Sequence, residues 1–347
     1  MTFPELNERE RRVLEAVIQS YVETAEPAGS RTISRKFGLG VSPATIRNTM
    51  SDLEDKGFLY HPHTSAGRVP TDIAYRLYVD SLMGPTRLSS AEADRLAEEI
   101  GTGGSAIEAI LRRAAQSLSV VAQELGVAIG PRLENAVLQR LELVRVSHER
   151  LLLVLTLEGG AVRTIFVEVP GQIAESALAE VTMVLNERLA GLPLRQIRTS
   201  LGARLRDASA PPGARELLNV FVQEGDTLFD LPLSGADDAV LLGQTSVLAE
   251  QPEFTSGENL RRLLALTDTR EHLAEVLRRR GVAPGVTITI GTENADPRLE
   301  QFTVVTTEYR AGPLTGVIGV IGPTRMPYDK VIALVRHTSL LVSDILH

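Results

Sequence analysis

The sequence contains no cysteine. This absence excludes disulfide bonds, thiol catalysis and the zinc and iron–sulfur sites that cysteine ligands build. Long apolar runs are missing too: the densest, residues 151–157, has the length of a strand and is far short of the roughly 20 residues of a membrane span. The N-terminus mixes acidic and basic side chains from the start, unlike a signal peptide. We therefore expect a soluble cytoplasmic protein.

Residues suited to catalysis or metal binding are scattered. A catalytic site needs a nucleophile, a base and an orienting group, and no motif in the sequence supplies them together. The six histidines stand singly, except His61 and His63, which would point the same way on a strand. Two histidines without a recognisable third ligand make a weak metal site. The sequence predicts no enzyme, no metal and no cofactor.

Length and composition favour a globular chain of two or three domains. The 347 residues exceed one ordinary core, and 43% apolar with 23% charged side chains is typical of a folded protein. The formal net charge of −8 argues against nucleic acid. Residues 28–71, however, hold six lysines and arginines against three acids. This local positive charge suits phosphate contacts, whereas the acidic remainder limits non-specific binding.

One helix inside this basic segment has both ends marked. Ser42 is a natural N-cap, Pro43 suits the first helical position, and Gly57 follows the end, where a left-handed residue is favoured. Apolar residues at helical spacing predict the buried face: Ile46, Met50 and Leu53. The opposite face comprises Ala44, Thr45, Arg47, Asn48 and Ser51. Arginine and asparagine suit paired hydrogen bonds with guanine and adenine edges, and threonine and alanine suit a thymine methyl.

The neighbours of this helix complete a DNA-binding pattern. A shorter helix with Ser30 as its N-cap precedes it, and Gly38 and Gly40 lie in the turn between the two. A strand-like segment, residues 58–60, and a polar hairpin tip, residues 61–68, follow it. This is the order of a winged helix-turn-helix, whose second helix enters the major groove and whose wing lies along the backbone or minor groove. The alternative is any small helical domain with a capped helix.

DNA contacts are predicted from both helices and from the wing. The residues are Arg31, Thr32, Ser42, Ala44, Thr45, Arg47, Asn48, Ser51, His63, Thr64, Ser65 and Arg68. Thr45, Arg47 and Asn48 are expected to read bases. Arg68, with Thr64 and Ser65 at the tip, is expected to contact phosphate or the minor groove.

The remainder of the chain alternates between helices and strands. The clearest linker is residues 101–105, and a helix is predicted from residue 106 to 126. Strands are predicted at residues 137–147, 151–157, 161–169, 228–233, 240–248, 286–290, 302–309 and 315–321. Helices are predicted at residues 175–189, 193–205, 214–223, 256–266, 268–280 and 328–345. An α+β multidomain fold, with an antiparallel sheet flanked by helices, follows from this pattern.

Two long segments resemble one known family. Residues 6–82 are similar to the N-terminal domain of HrcA, the heat-inducible transcription repressor family, through the motifs SRTIS, SPATIRNTMSDLEDKG and HTSAGRVPTDIAYRLYVD. Residues 316–335 resemble the closing segment of that family, with the sequence GVIGVIGPTRMPYDKVIALV. The resemblance implies a GAF-like sheet formed from both sides of an inserted dimerisation domain. The expected domains are a winged helix-turn-helix with its connecting helix at 1–84, a linker at 85–105, the GAF-like domain at 106–172 and 256–347, and the inserted dimerisation domain at 173–255.

The same resemblance implies a function. The chain would be a homodimeric repressor of chaperone operons that binds an inverted-repeat operator on double-stranded DNA, with its activity linked to the chaperonin GroEL. The alternative is a ligand-gated transcriptional regulator whose GAF-like domain binds a small-molecule effector, because a fold does not dictate one function. A filled apolar sheet face favours the first function, and a pocket with buried polar groups favours the second.

Overall fold

The computed structural model describes residues 4–63, 67–84, 87–102, 107–131, 133–158, 162–169, 171, 173–206, 212–228, 240–268, 270–280 and 285–347. In these ranges the chain forms helices and three antiparallel sheets, so the fold is α+β, as the sequence predicts. None of the helices found there is long and apolar enough to cross a membrane.

Three helices and a small hairpin form the N-terminal unit. Its elements are α1 (Glu8–Thr24), α2 (Ser30–Phe37), α3 (Pro43–Asp55), β1 (Leu59–Tyr60) and β2 (Val69–Pro70). The apolar faces of the three helices meet in one core, which includes Val17, Ile33 and Ile46. The predicted N-cap of α2 is wrong: Gly29 holds the extended cap position, and Ser30 is already helical and buried, so its hydroxyl does not cap the helix.

Two further helices connect this unit to the rest of the chain. α4 (Asp72–Leu77) is capped by Thr71 and continues into a π-helical turn at Tyr78–Leu82. α5 (Ser90–Gly101) lies in the segment expected to be a linker, yet it is packed against its neighbours. Leu96 and Ile100 are buried, and Lys330 lies 2.9 Å from Glu92.

A five-stranded antiparallel sheet is the centre of the second unit. Its strands, in spatial order, are β7 (Leu241–Leu242), β3 (Leu125–Ile129), β10 (Leu314–Pro323), β9 (Phe302–Ala311) and β8 (Thr287–Ile290). One face packs against α6 (Ile107–Ala122) and α13 (Tyr328–Ile345). The other face packs against α11 (Gly257–Asp268) and α12 (Arg270–Arg280), and the short α10 (Ser246–Ala249) follows β7.

The strand β3, which lies between β7 and β10 in this sheet, is not predicted by the sequence pattern. The helix predicted to run to residue 126 ends at Ala122, because Gln123 adopts a left-handed backbone with φ of 58°. Every residue of β3 is buried. A short run buried on both faces shows no alternation, so periodicity does not distinguish it from the end of a helix.

Two later strand predictions also differ from the structure. The strand predicted at 240–248 is confined to β7, and α10 occupies part of the predicted range. The strand predicted at 228–233 lies, beyond Leu228, outside the described residues. Leu228 itself ends a helix.

A separate three-stranded sheet interrupts the larger one. Its elements are β4 (Leu138–Arg145), β5 (Arg150–Leu157) and β6 (Val162–Glu168), with α7 (Glu175–Leu189), α8 (Leu194–Leu205) and α9 (Pro212–Leu228). The expected domain division places these strands in the larger sheet. They form their own sheet because alternate residues of β5, such as Leu153 and Leu155, pack into a core with Leu185 and Phe221 of the helices. The chain therefore leaves the five-stranded sheet after β3 and returns to it at β7.

A carboxyl group is buried where α6 leads into β3. Glu124 is 2% exposed, and its Oε2 accepts a 3.3 Å hydrogen bond from Gln251. Burial raises the pKa of Glu124 well above its ordinary value, although Gln251 and Arg325 act in the opposite direction. The folded protein therefore retains a proton here at pH values where the unfolded chain has released it.

We expect Glu124→Gln to stabilise the protein more at alkaline than at acidic pH. A raised pKa in the folded state contributes stability that is complete below the unfolded pKa and is lost as pH rises through the folded pKa. Glutamine does not ionise and so removes that loss. The unfolding free energy of the variant relative to the original protein should therefore rise from about pH 5 to about pH 8, by at most about 1.4 kcal/mol per pH unit. Thermal unfolding midpoints across this range measure the effect, with the exposed Glu250→Gln as control. A difference that is independent of pH contradicts the prediction.

Candidate nucleic-acid interface

The helix α3 is fixed along one side as the sequence predicts. The Oγ of Ser42 accepts a 3.2 Å hydrogen bond from the backbone N–H of Thr45, and Pro43 is the first helical residue. Gly57, with φ of 81°, follows the end of the helix. The buried residues of the helix are Ile46, Thr49, Met50 and Leu53. Its opposite side is therefore held towards solvent.

Most of the predicted contact residues of α3 lie on that open side. The exposed residues are Ser42, Ala44, Arg47, Asn48 and Ser51. Thr45 is half-buried, and its hydroxyl shares a 3.0 Å hydrogen bond with Ser42, so these two side chains are already engaged in the cap. Within the described part of the chain, Arg47 and Asn48 have no side-chain partner. Their hydrogen-bonding groups are available to a ligand of the helix.

The helix α2 places two more predicted residues beside α3. Arg31 and Thr32 are exposed, and so is Arg35 one turn later. Gly38 and Gly40, in the turn between the helices, have φ of 56° and 72°, a conformation that strains residues with a Cβ atom. The glycine turn lets the two helices follow each other closely and stay in contact.

The basic side chains of residues 28–71 have two roles: some pair with acids of the protein, and others are left without an ion pair in the described part of the chain. Lys36 pairs with Glu23, and Lys56 lies 2.8 Å from the carboxylate of Glu10. Burial opposes the ionisation of Glu10, but the hydrogen bonds from Lys56 and from the Asn7 backbone outweigh it and lower its pKa. These pairs hold the helices together. Among the described residues, the basic side chains of the segment left without an ion pair are Arg31, Arg35 and Arg47.

The hairpin is pinned to the rest of the unit at its base. Leu59 and Tyr60 pair with Pro70 and Val69. Backbone hydrogen bonds of 2.8 and 3.0 Å join Ala28 to Arg68. At Gly67 an added Cβ would lie 2.4 Å from the Ala28 backbone, so no larger residue fits there without displacing the chain.

The structure does not place Arg68 at the exposed tip. Its side chain is 12% exposed, and its Nη2 lies 2.7 Å from Oε2 of Glu54 on α3. The guanidinium is thus engaged by the protein itself at the base of the hairpin, rather than presented for the predicted phosphate contact. His63 is exposed, and Thr64 and Ser65 lie outside the described residues.

Several residues near this surface were not among the predicted contacts. Arg35 belongs to the basic segment, and its position one helical turn after Arg31 could have identified it. Arg9 and Arg12 of α1 line a cleft of about 460 Å³ together with Leu39 and Val41 of the α2–α3 turn. The sequence near these two arginines does not indicate a role at this surface, because α1 lies beside the α2–α3 turn only in the folded protein.

Two partly buried arginines hold the N-terminal unit and α4 against the five-stranded sheet unit. Arg76 of α4 donates to Glu293 through Nε at 2.7 Å and to the Ile288 carbonyl at 2.8 Å. Arg325, which pairs with Glu253, also donates a 2.7 Å hydrogen bond to the Val22 carbonyl of α1. These contacts set the orientation of α3 relative to the rest of the chain.

A docked helical unit with an open Arg–Asn face, joined to a sheet unit, is the arrangement expected of a DNA-binding transcriptional regulator. The family model described as the HrcA protein C-terminal domain matches residues 108–332. The chain is 41% identical to the heat-inducible transcription repressor HrcA of Chlorobium phaeobacteroides (strain BS1), over 97% of each chain. It is 38% identical to that of Geobacter sulfurreducens, over 99% of this chain and 98% of the relative.

The chain therefore belongs to the HrcA family of heat-inducible transcription repressors, and it is a repressor rather than an enzyme. A solved structure, described as a hypothetical protein at 2.2 Å resolution, shares the fold. It is 22% identical, covers 99% of both chains and has a TM-score of 0.62.

Proposed function

We propose that this repressor binds an inverted-repeat operator as a homodimer, with the N-terminal unit of each protomer acting as a winged helix-turn-helix. α3 enters the major groove with its N-terminal half, and the β1–β2 hairpin acts as the wing. The observation that carries this proposal is the open face of α3, where Arg47 and Asn48 have no partner in the described chain while the opposite face is buried.

Base reading and phosphate contact fall to different residues of this surface. Arg47 and Asn48 read base edges, with Ala44, Thr45 and Ser51 bordering them. The helix α2 contacts the DNA phosphate backbone through Arg31, Thr32 and Arg35. Ser42 caps the start of α3. His63, Thr64 and Ser65 contact phosphate or the minor groove from the wing. We assign Arg68 to supporting the wing, in place of the phosphate contact, because it pairs with Glu54.

The outer face of the three-stranded sheet supports dimerisation. Val144, Leu152 and Phe166 stand opposite one another across β4, β5 and β6, and Val144 and Phe166 are 46% and 61% exposed. Charged pairs border this apolar row: Arg140–Glu142 on one side and Arg150–Glu168 on the other. An apolar centre with a charged rim is the composition of a protein–protein interface. A self-complementary patch on this sheet gives the two-fold symmetry that an inverted repeat requires.

We propose domain boundaries different from those expected from the sequence. The DNA-binding unit remains 1–84. We propose that the inserted dimerisation domain comprises the β4–β6 sheet with α7–α9, about residues 133–228, because these elements share one core. The GAF-like domain would then include residues 107–129 and 240–347. Both faces of its sheet are covered by apolar side chains of the flanking helices, which favours a scaffold over an effector-binding domain.

Family membership supports the remaining assignments. We propose that the operator controls chaperone genes and that the chaperonin GroEL maintains the repressor in its active form, so that repression falls when unfolded proteins occupy the chaperonin. Such a repressor would act in the cytoplasm.

Selection from a randomised duplex pool tests the operator proposal. The full-length protein should enrich an inverted repeat, and gel shifts should show much tighter binding to the intact repeat than to one half-site. Addition of GroEL should raise the fraction of active repressor. Enrichment of a single, non-repeated element would contradict binding as a dimer.

A further inference from the structure

One carboxylate joins the proposed recognition helix to both sides of the wing hairpin. Glu54 lies in the last turn of α3. Its Oε1 is 2.9 Å from Nδ1 of His61, and its Oε2 is 2.7 Å from Nη2 of Arg68. His61 follows β1 and Arg68 precedes β2, so the two partners stand on opposite sides of the hairpin.

The hairpin itself is too small to hold its own orientation. β1 and β2 share two residue pairs, and a two-stranded ribbon of this size is at best marginal in water. The backbone bonds to Ala28 fix its base against the loop before α2. Glu54 supplies the side-chain connection to α3. The pair with Arg68 is partly desolvated, with Glu54 29% and Arg68 12% exposed, which strengthens it relative to a fully exposed pair.

We propose that Glu54 is a positioning residue for DNA binding, which orients the wing relative to α3 so that both meet the DNA together. This inference rests on the proposed role of the hairpin as a wing. An acid near DNA would by itself repel phosphate. Asp52 and Asp55 on the same helix would do so, because within the described chain they form no ion pair. Glu54 offsets that repulsion by holding the wing in place.

Operator binding by the full-length Glu54→Gln variant tests this role. Affinity should fall about tenfold. The slope of log affinity against log salt concentration should decrease by about one for each phosphate that the wing no longer contacts. Partial unfolding alone would reduce the active fraction without changing the salt slope. Asp55→Asn is the matched control, because it removes the same charge from the same turn; it should bind as tightly as the original protein or more tightly.

The reversed pair completes the test. Glu54→Arg and Arg68→Glu should each weaken binding, and the double variant should recover much of the affinity and the salt slope, because the pair is re-formed with opposite polarity. Tighter binding by Glu54→Gln, matching Asp55→Asn, would overturn the proposal and show that Glu54 competes with DNA for Arg68. An unchanged slope would overturn it as well. Failure of the original protein to bind the selected DNA would instead refute the proposed function.

Discussion

Phe166→Asp is expected to convert the repressor to a monomer and to weaken operator binding by about a hundredfold or more. Phe166 is the most exposed member of the apolar row on the three-stranded sheet, where Leu152 is its cross-strand neighbour. In the proposed dimer its ring is buried against a second copy. A carboxylate there would be desolvated in the interface, and the nearby Arg150 is already paired with Glu168, so its burial costs far more than the removal of the ring.

The weaker operator binding follows from the geometry of two linked half-sites. When one protomer has bound, the second half-site is occupied at the high effective concentration set by the shared scaffold. A monomer does not have this advantage, although its contacts with each half-site are unchanged. Binding to a single half-site should therefore be nearly the same for Phe166→Asp and the original protein.

Sedimentation and gel shifts on the intact repeat measure these two effects. Leu340→Asp is a suitable control, because Leu340 is similarly exposed, at 60%, but lies on α13, away from the three-stranded sheet. It should remain dimeric. A dimeric Phe166→Asp protein would exclude this sheet face as the interface, and a monomeric Leu340→Asp protein would place the interface on the C-terminal helix.

Arg47→Ala should cost roughly 1–3 kcal/mol against the specific operator. The guanidinium stands on the exposed side of a helix that is capped at Ser42 and packed through Ile46. Its removal deletes the proposed bidentate contact with a base edge and disturbs little of the protein core, because Arg47 is exposed. The ratio of specific to non-specific affinity should therefore fall, while binding to random DNA changes much less.

Arg35→Ala provides the contrasting control for base reading. Arg35 is an exposed arginine of α2 and, like Arg47, has no ion-pair partner among the described residues. Its proposed contact is with phosphate, so its removal should weaken binding to all sequences alike and reduce the salt slope by about one. If Arg47→Ala behaves like Arg35→Ala, with the specificity ratio unchanged, α3 does not read the bases.

Local chemistry made the N-terminal unit predictable from the sequence. The ends of α3 depend on Ser42, Pro43 and Gly57, whose preferences act within a few residues of the backbone they control. The helical spacing of apolar residues predicts the buried side of the same helix, and the remaining residues form its exposed side. The start of α1 is equally local: Asn7 and Glu10 form a capping box with both hydrogen bonds at 2.9 Å.

Tertiary structure alone decided how distant segments combine. β3 is a strand because β10, almost two hundred residues later, pairs with it through Val317–Ile129 to Ile321–Leu125, and the sequence near β3 carries no trace of that partner. The three strands β4–β6 alternate as strands should, yet only packing against α7–α9 shows which sheet they form. The pair between Glu54 and Arg68 likewise required the hairpin to fold back on α3. Capping and periodicity are short-range properties encoded residue by residue, whereas strand partners, insertions and ion pairs between elements are set by the lowest free energy of the whole chain.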